Sequence, residues 1–207
     1  MPGISLSEKG KNQSQDLALR LQGADISTIS CSPLERCQQT ILPWLHSDPT
    51  MNIEAFSIED RLNEVDYGNW SGLSLKKLSR EPLWKVIQET PSKVVFPQGE
   101  RISSMQKRAV TAVKEIADTK SGTHLFVSHG DVIKAIIADL LSMKLDTFQK
   151  LVIDPASITI FETEKNRVVM TTFNNTSGDL APFLKSPSTR KATLGGGSGI
   201  SRLRRGR

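Results

Sequence analysis

Two segments of the chain follow one plan, an apolar run of strand length, a short polar turn, and then a helix with one apolar face. They are "DISTISCSPLERCQQTIL", from Asp25, and "THLFVSHGDVIKAIIADLL", from Thr123. A strand that passes directly into a helix returns to its sheet by a crossover, so the repeated plan predicts an α/β sandwich with a largely parallel sheet. In such a sheet ligands bind beyond the carboxyl ends of the strands, which makes the two strand-to-helix turns the places to look for chemistry.

The remaining elements fit around these two. Ser5 or Ser7 can cap a first helix whose face carries Leu17, Ala18 and Leu21 and which stops near Gly23. A strand over 26–31 leads to Ser32 as N-cap, Pro33 at the first helical position and Glu35 closing a capping box. Leu34, Cys37, Ile41 and Leu45 share a helical face until Pro43 ends or bends it. A short strand is expected at 53–57, a Pro-punctuated surface or lid excursion at 81–99, and a helix over 102–117 with Ile102, Met105, Ala109, Val113 and Ile116 as its stripe. A buried strand runs through Phe126 and Val127, its following helix having Asp131 as candidate N-cap, and "ASITIFE" with "RVVMTTF" forms a hairpin.

With 207 residues the chain suits one domain, here residues 1–184, followed by a tail. Residues 185–207 carry seven Lys or Arg and no acid, so the total charge of +5 becomes −2 for residues 1–184. The tail is rich in Gly, Ser and positive charge, a composition expected to stay disordered. Nucleic-acid binding would rest on that tail alone, and no membrane-spanning run or secretory signal stands out, so a cytoplasmic protein is expected. Cys31 and Cys37 form neither a disulfide framework nor a zinc spacing and read as small buried residues.

The candidate chemistry sits in the turns. Arg36 lies in the first turns of a helix, where the dipole disfavours a cation unless an anion is bound there; the alternative is a salt bridge with Glu35. His129 ends an apolar strand just before Gly130, where it can donate to a phosphoryl oxygen or merely satisfy a local backbone group. Glu64 lies in "RLNEVDYGNWSGLSL", beside Asp66, Tyr67 and Trp70, as either a proton donor with a raised pKa or a solvated acid. A serine hydrolase built on Ser128 and His129 is disfavoured, because adjacent residues cannot adopt the nucleophile–base geometry and no G-x-S-x-G elbow occurs. His46 and His124 read as peripheral.

Taken together, "SLSEKGKNQSQDLALRL", "ISTISCSPLERCQQT", "LNEVDYGNWSG", "PQGE" and "FVSHGDVIKAIIADLL" resemble, in order, the motifs of the histidine phosphatase superfamily and its phosphoglycerate mutase-like branch. The resemblance covers roughly residues 3–178 and is nearest to a bacterial subgroup of phosphatases and phosphomutases. It implies a three-layer α/β sandwich and a phosphohistidine intermediate formed from a small phosphorylated metabolite. It implies no cofactor and no bound metal, since arginines, histidines and backbone donors carry the phosphoryl charge. By position, Arg36 would be a phosphate-binding arginine, Glu64 the proton donor, His129 the second pocket histidine, and Gly130 part of the phosphate site.

One departure stands out. The family's Arg-His-Gly triplet, which carries the nucleophile on the first, interior strand, belongs before "PGISLSEKG", and the chain has no such triplet. The expectation is therefore a fold without its first interior strand, a true start upstream of Met1, and a chain that is inactive or impaired as it stands. The enzyme would be a phosphomonoesterase or, second, a phosphomutase; the non-catalytic alternative is an anion-binding regulatory module.

Overall fold

The computed structural model describes residues 3–47, 55–164, 167–178 and 180. At its centre lies β1 (Thr28–Cys31), paired in parallel with β2 (Phe56–Ile58) on one edge and β3 (His124–Val127) on the other. β4 (Ile158–Glu164) and β5 (Arg167–Asn175) form a separate antiparallel pair. The α/β plan with a parallel sheet and the closing hairpin are as expected. The basic tail from Lys185 lies outside the described residues, as does the beginning of the strand expected at 53–57.

Four principal helices cover the two faces of the parallel sheet. α1 (Glu8–Arg20) and α2 (Glu35–Ser47) bury Leu17, Ala18, Ile41 and Trp44 against Ile29, with Leu125 and Val127 of β3 leaning on the same cluster. The intervening Phe126 points into the opposite cluster, where α5 (Ile102–Thr119) and α6 (Gly130–Leu140) contribute Ile102, Met105, Ala109, Val132 and Ala135. That alternation along one strand is what a sheet covered on both faces requires. The result is three layers.

The strand through Phe126 and Val127, expected to be buried, is only partly so. All four β1 residues are buried, whereas all four of β3 are only partly so. The reason is pairing: β1 has a neighbour on each edge, and among the described residues β3 pairs with β1 alone. The sheet breaks between β3 and β4, although Leu125, Val127, Ile158 and Ile160 all pack on one apolar cluster.

Pro43 neither ends α2 nor leaves a carbonyl bare, because the helix runs on to Ser47 and the Gln39 carbonyl, which Pro43 cannot serve, accepts from Ser14 Oγ of α1 at 3.1 Å. Ser7 rather than Ser5 caps α1, its Oγ accepting from the Gly10 amide. Ser5 Oγ instead donates to Glu35 at 2.6 Å, and Gln39 Nε2 donates to the same oxygen at 2.6 Å. Glu35 thus ties the residues leading into α1 to α2 and closes no capping box. The excursion at 81–99 is only half surface: α3 (Leu75–Leu78) is followed by α4 (Pro82–Glu89), which has no buried residue, whereas Val94 and Phe96 enter the core.

Candidate active site

The carboxyl ends of the three parallel strands are tied to one another. The Ser32 amide donates to the Val127 carbonyl at 2.9 Å, and the Glu59 amide to the Cys31 carbonyl at 2.9 Å. Residues leaving β1, β2 and β3 therefore start from one place: the Ser32 turn, the Glu59–Gly68 loop, and Ser128–His129.

His129 is the N-cap of α6, in place of the expected Asp131, and its side chain is turned inward. Ser32 Oγ lies 2.7 Å from its Nε2, and Cys37 Sγ lies 3.5 Å from the same atom. Burial, reinforced by the positive charge of Arg36, lowers its pKa to about 3. The imidazole is neutral at pH 7, so its approach to Glu64, with Nδ1 4.0 Å from Oε2, is not an ion pair there. Ser32 Oγ accepts only at 3.3 Å from the Leu34 amide, and the helix begins at Glu35 rather than Pro33.

Glu64 is carried on a loop whose backbone is wired residue by residue. Its amide donates to Asn63 Oδ1 at 2.9 Å, and its Oε1 accepts from the Val65 amide at 3.0 Å. Two glycines let this loop meet the "PQGE" segment: a Cβ on Gly68, whose φ is +51°, would stand 2.2 Å from the Pro97 carbonyl oxygen, and one on Gly99 2.4 Å from that of Asp66. Burial raises the Glu64 pKa to about 7, with the nearby Asp131 adding to the shift and the Val65 amide, Arg36 and Arg108 opposing it. Tyr67 Oη donates to Asp131 at 3.3 Å, joining this loop to α6.

Arg36 sits in the first turn of α2, close enough for its charge to act on His129, Glu64, Cys37 and Tyr67. Gly130 opens α6 with open space where a side chain would project. Arg36, Glu64, His129 and Gly130 are thus brought to one end of the sheet. His124 is not: its ring nitrogens are engaged by Thr28 Oγ1 at 2.8 Å and the Lys120 carbonyl at 3.0 Å, at the other end of β3. His46 lies exposed near the end of α2.

A family model described as "Histidine phosphatase superfamily (branch 1)" matches residues 1–176. The chain belongs to the histidine phosphatase superfamily. It is 32% identical over 175 residues to phosphoserine phosphatase 1 of Hydrogenobacter thermophilus, covering 83% of this chain and 81% of that one. Identity to the 2,3-bisphosphoglycerate-dependent phosphoglycerate mutase of Thermoplasma acidophilum is 28% over 173 residues, 79% of this chain and 77% of the other. Among solved structures, Bacillus stearothermophilus YhfR superposes with a TM-score of 0.75 at 24% identity, covering 83% of this chain and 85% of that one. The alpha-ribazole phosphatase of Shigella flexneri gives 0.74 at 22% identity, over 86% and 87% of the two chains. Family and relatives together support phosphatase or mutase activity. They also agree with the phosphoglycerate mutase-like fold expected from the motifs.

Several residues around this candidate site were not anticipated from the sequence. Ser32 looked like a helix cap and Cys37 like filler, yet both contact His129. Glu100 lay within a quoted motif without a role, and Arg108 was not singled out. The signal for Arg108 was present: it falls three residues after Met105 and four before Ala112, in phase with the apolar stripe of α5, where a charge needs a partner. No described helix is long and apolar enough to cross a membrane.

Proposed function

We propose that this chain provides the phosphate-binding and proton-donating parts of a histidine phosphatase for a small phosphomonoester, with the nucleophilic histidine being none of its three. The observation that carries this reading is Glu64, a carboxyl with its pKa raised to about 7 and held beside His129 and Arg36. An acid that is about half protonated near pH 7 can hand a proton to a departing alkoxide, while a fixed guanidinium and helix amides hold the phosphoryl oxygens. In that reading Arg36 supplies the permanent charge, Gly130 an amide at the start of α6, and neutral His129 a directional hydrogen bond.

Hydrolysis is favoured over a mutase reaction because water needs no site of its own, whereas a mutase must retain the phosphorylated intermediate and reorient a bound product. The names of the relatives, a phosphoserine phosphatase and a phosphoglycerate mutase, point to a small anionic substrate. The histidine positions favour a second reading, phosphate-ester binding without turnover: His124 is engaged on both nitrogens and His46 is exposed near a helix end.

Two measurements test the proposal. Orthophosphate binding followed by calorimetry is expected for the chain and is expected to weaken at least tenfold in Arg36→Ala; equal affinity would refute the phosphate site. After incubation with a radiolabelled phosphomonoester and a basic quench, no acid-labile label should remain on the protein. Label trapped on His46, His124 or His129 would overturn the assignment of the nucleophile.

A further inference from the structure

We propose that Arg108 is a positioning residue that sets the protonation state of Glu64 by clamping the backbone of its loop. The inference rests on the reading of Glu64 as the acid of the site. A guanidinium has five N–H donors, and Arg108 uses all of them. Nε and Nη2 grip the Glu100 carboxylate side-on, at 2.9 Å each. Nη1 donates to the carbonyls of Arg61 at 2.6 Å and Asn63 at 2.8 Å, and Nη2 also donates to that of Glu64 at 3.1 Å. The carbonyl left over in that run, Leu62, accepts from Ser128 Oγ at 2.7 Å. Every carbonyl from Arg61 to Glu64 is therefore held by a side chain from α5 or from the end of β3.

This arrangement does what neither charge nor packing would do alone. The Glu100 carboxylate fixes the plane of the guanidinium, and its own amide donates to the Asp66 carbonyl at 2.8 Å, so the anchor belongs to the same loop assembly. With its backbone pinned on both sides of residue 62, the loop holds the Glu64 carboxyl against His129 and mostly out of water, its side chain 18% exposed. Burial is the largest cause of the raised Glu64 pKa, and burial here depends on the loop staying closed. The other charged groups facing Glu64 are Asp131 from α6 and Arg36 from α2, with neutral His129 and Tyr67 completing the surround.

The positioning role and a purely electrostatic one predict opposite signs. The charge of Arg108 opposes the upward shift of Glu64, so if charge were its contribution, Arg108→Met would raise the midpoint further and Arg108→Lys would leave it unchanged. If Arg108 holds the loop closed, both variants let water reach the carboxyl, because the point charge of lysine cannot reproduce a five-donor fork. The test is a carbon-13 NMR titration of the Glu64 carboxyl, assigned by its loss in Glu64→Gln, on folded wild-type, R108K and R108M chains. The expected result is a midpoint lowered by one pH unit or more in both, a tenfold or greater change in the protonated-to-ionised ratio at a given pH. An unchanged or raised midpoint in the folded variants overturns the inference, and a lower melting temperature alone does not support it.

The wild-type chain supplies a readout that needs no variant to fold. A guanidinium held by five acceptors should give separate, slowly exchanging Nη signals in nitrogen-15 arginine spectra, and a single averaged signal for Arg108 overturns the clamp. These measurements use no phosphate. They can fail while Arg36-dependent phosphate binding survives, and the reverse.

Discussion

Replacing Glu64 with glutamine should change the pH dependence of stability in a direction fixed by the two shifted groups of the site. Glu64 has an ordinary value of 4.5 and titrates near 7 when folded. Between those values the folded chain keeps a proton that the unfolded chain has lost, so the contribution of Glu64 is full below pH 4.5 and fades as pH rises towards 7. His129 runs the other way: its ordinary value of 6.5 falls to about 3, so the unfolded chain holds the extra proton in that window and stability rises with pH. Each contributes a slope of about 1.4 kcal/mol per pH unit where its two states differ by one proton. From pH 4.5 to 6.5 the two slopes cancel in the wild-type chain. Glu64→Gln removes only the falling slope, so the difference between the two chains should grow in favour of the variant, by about 3 kcal/mol in all between pH 4.5 and 7. Urea unfolding at constant ionic strength, with the two stability curves subtracted, cancels every other titrating group. Parallel curves across that window would refute a largely buried Glu64 carboxyl that titrates near 7.

Other substitutions probe the supports of the site. Gly68→Ala and Gly99→Ala place a Cβ 2.2 and 2.4 Å from backbone oxygens, so each should cost more than about 2 kcal/mol in urea unfolding, while Gly130→Ala, facing open space, should leave stability unchanged or slightly raised. Cys31 and Cys37 are buried, and burial pushes their thiols up to about 12 and about 11, so neither should react with a disulfide reagent at pH 8 until the chain unfolds. Modification of Cys37 in the native chain faster than unfolding would contradict its packing against His129.

What the sequence revealed was mostly what short-range rules determine. The two strand-turn-helix units follow from runs of apolar residues with the right period, and Arg36, Glu64 and His129 stood out because each punctuates such a unit or a turn-rich stretch. Ser32 was misread for the same reason: a serine before a helix looks like a cap, and only the fold brings it to a histidine 97 residues away. Pro43 stays inside its helix because Ser14, on another element, replaces the missing donor. The half-exposed state of β3 depends on which strands pair with it, and the apolar residues Leu125, Phe126 and Val127 carry no record of that.

The chemistry of the pocket follows from one physical cause acting on unlike groups. Burial disfavours charge, so at pH 7 it leaves His129 without a proton and about half of Glu64 with one, their Nδ1 and Oε2 4.0 Å apart. Neither group can then be the cation that holds an anion. In the proposed reading that role belongs to Arg36, in the first turn of α2. Arg108 donates to one carboxylate and three carbonyls. In the proposed reading the two nearby arginines have different tasks, Arg108 bracing the loop and Arg36 meeting the phosphoryl charge. Both charges pull the Glu64 carboxyl towards ionisation and burial outweighs them, so about half of it stays protonated near pH 7, the condition for an acid that protonates a leaving group there.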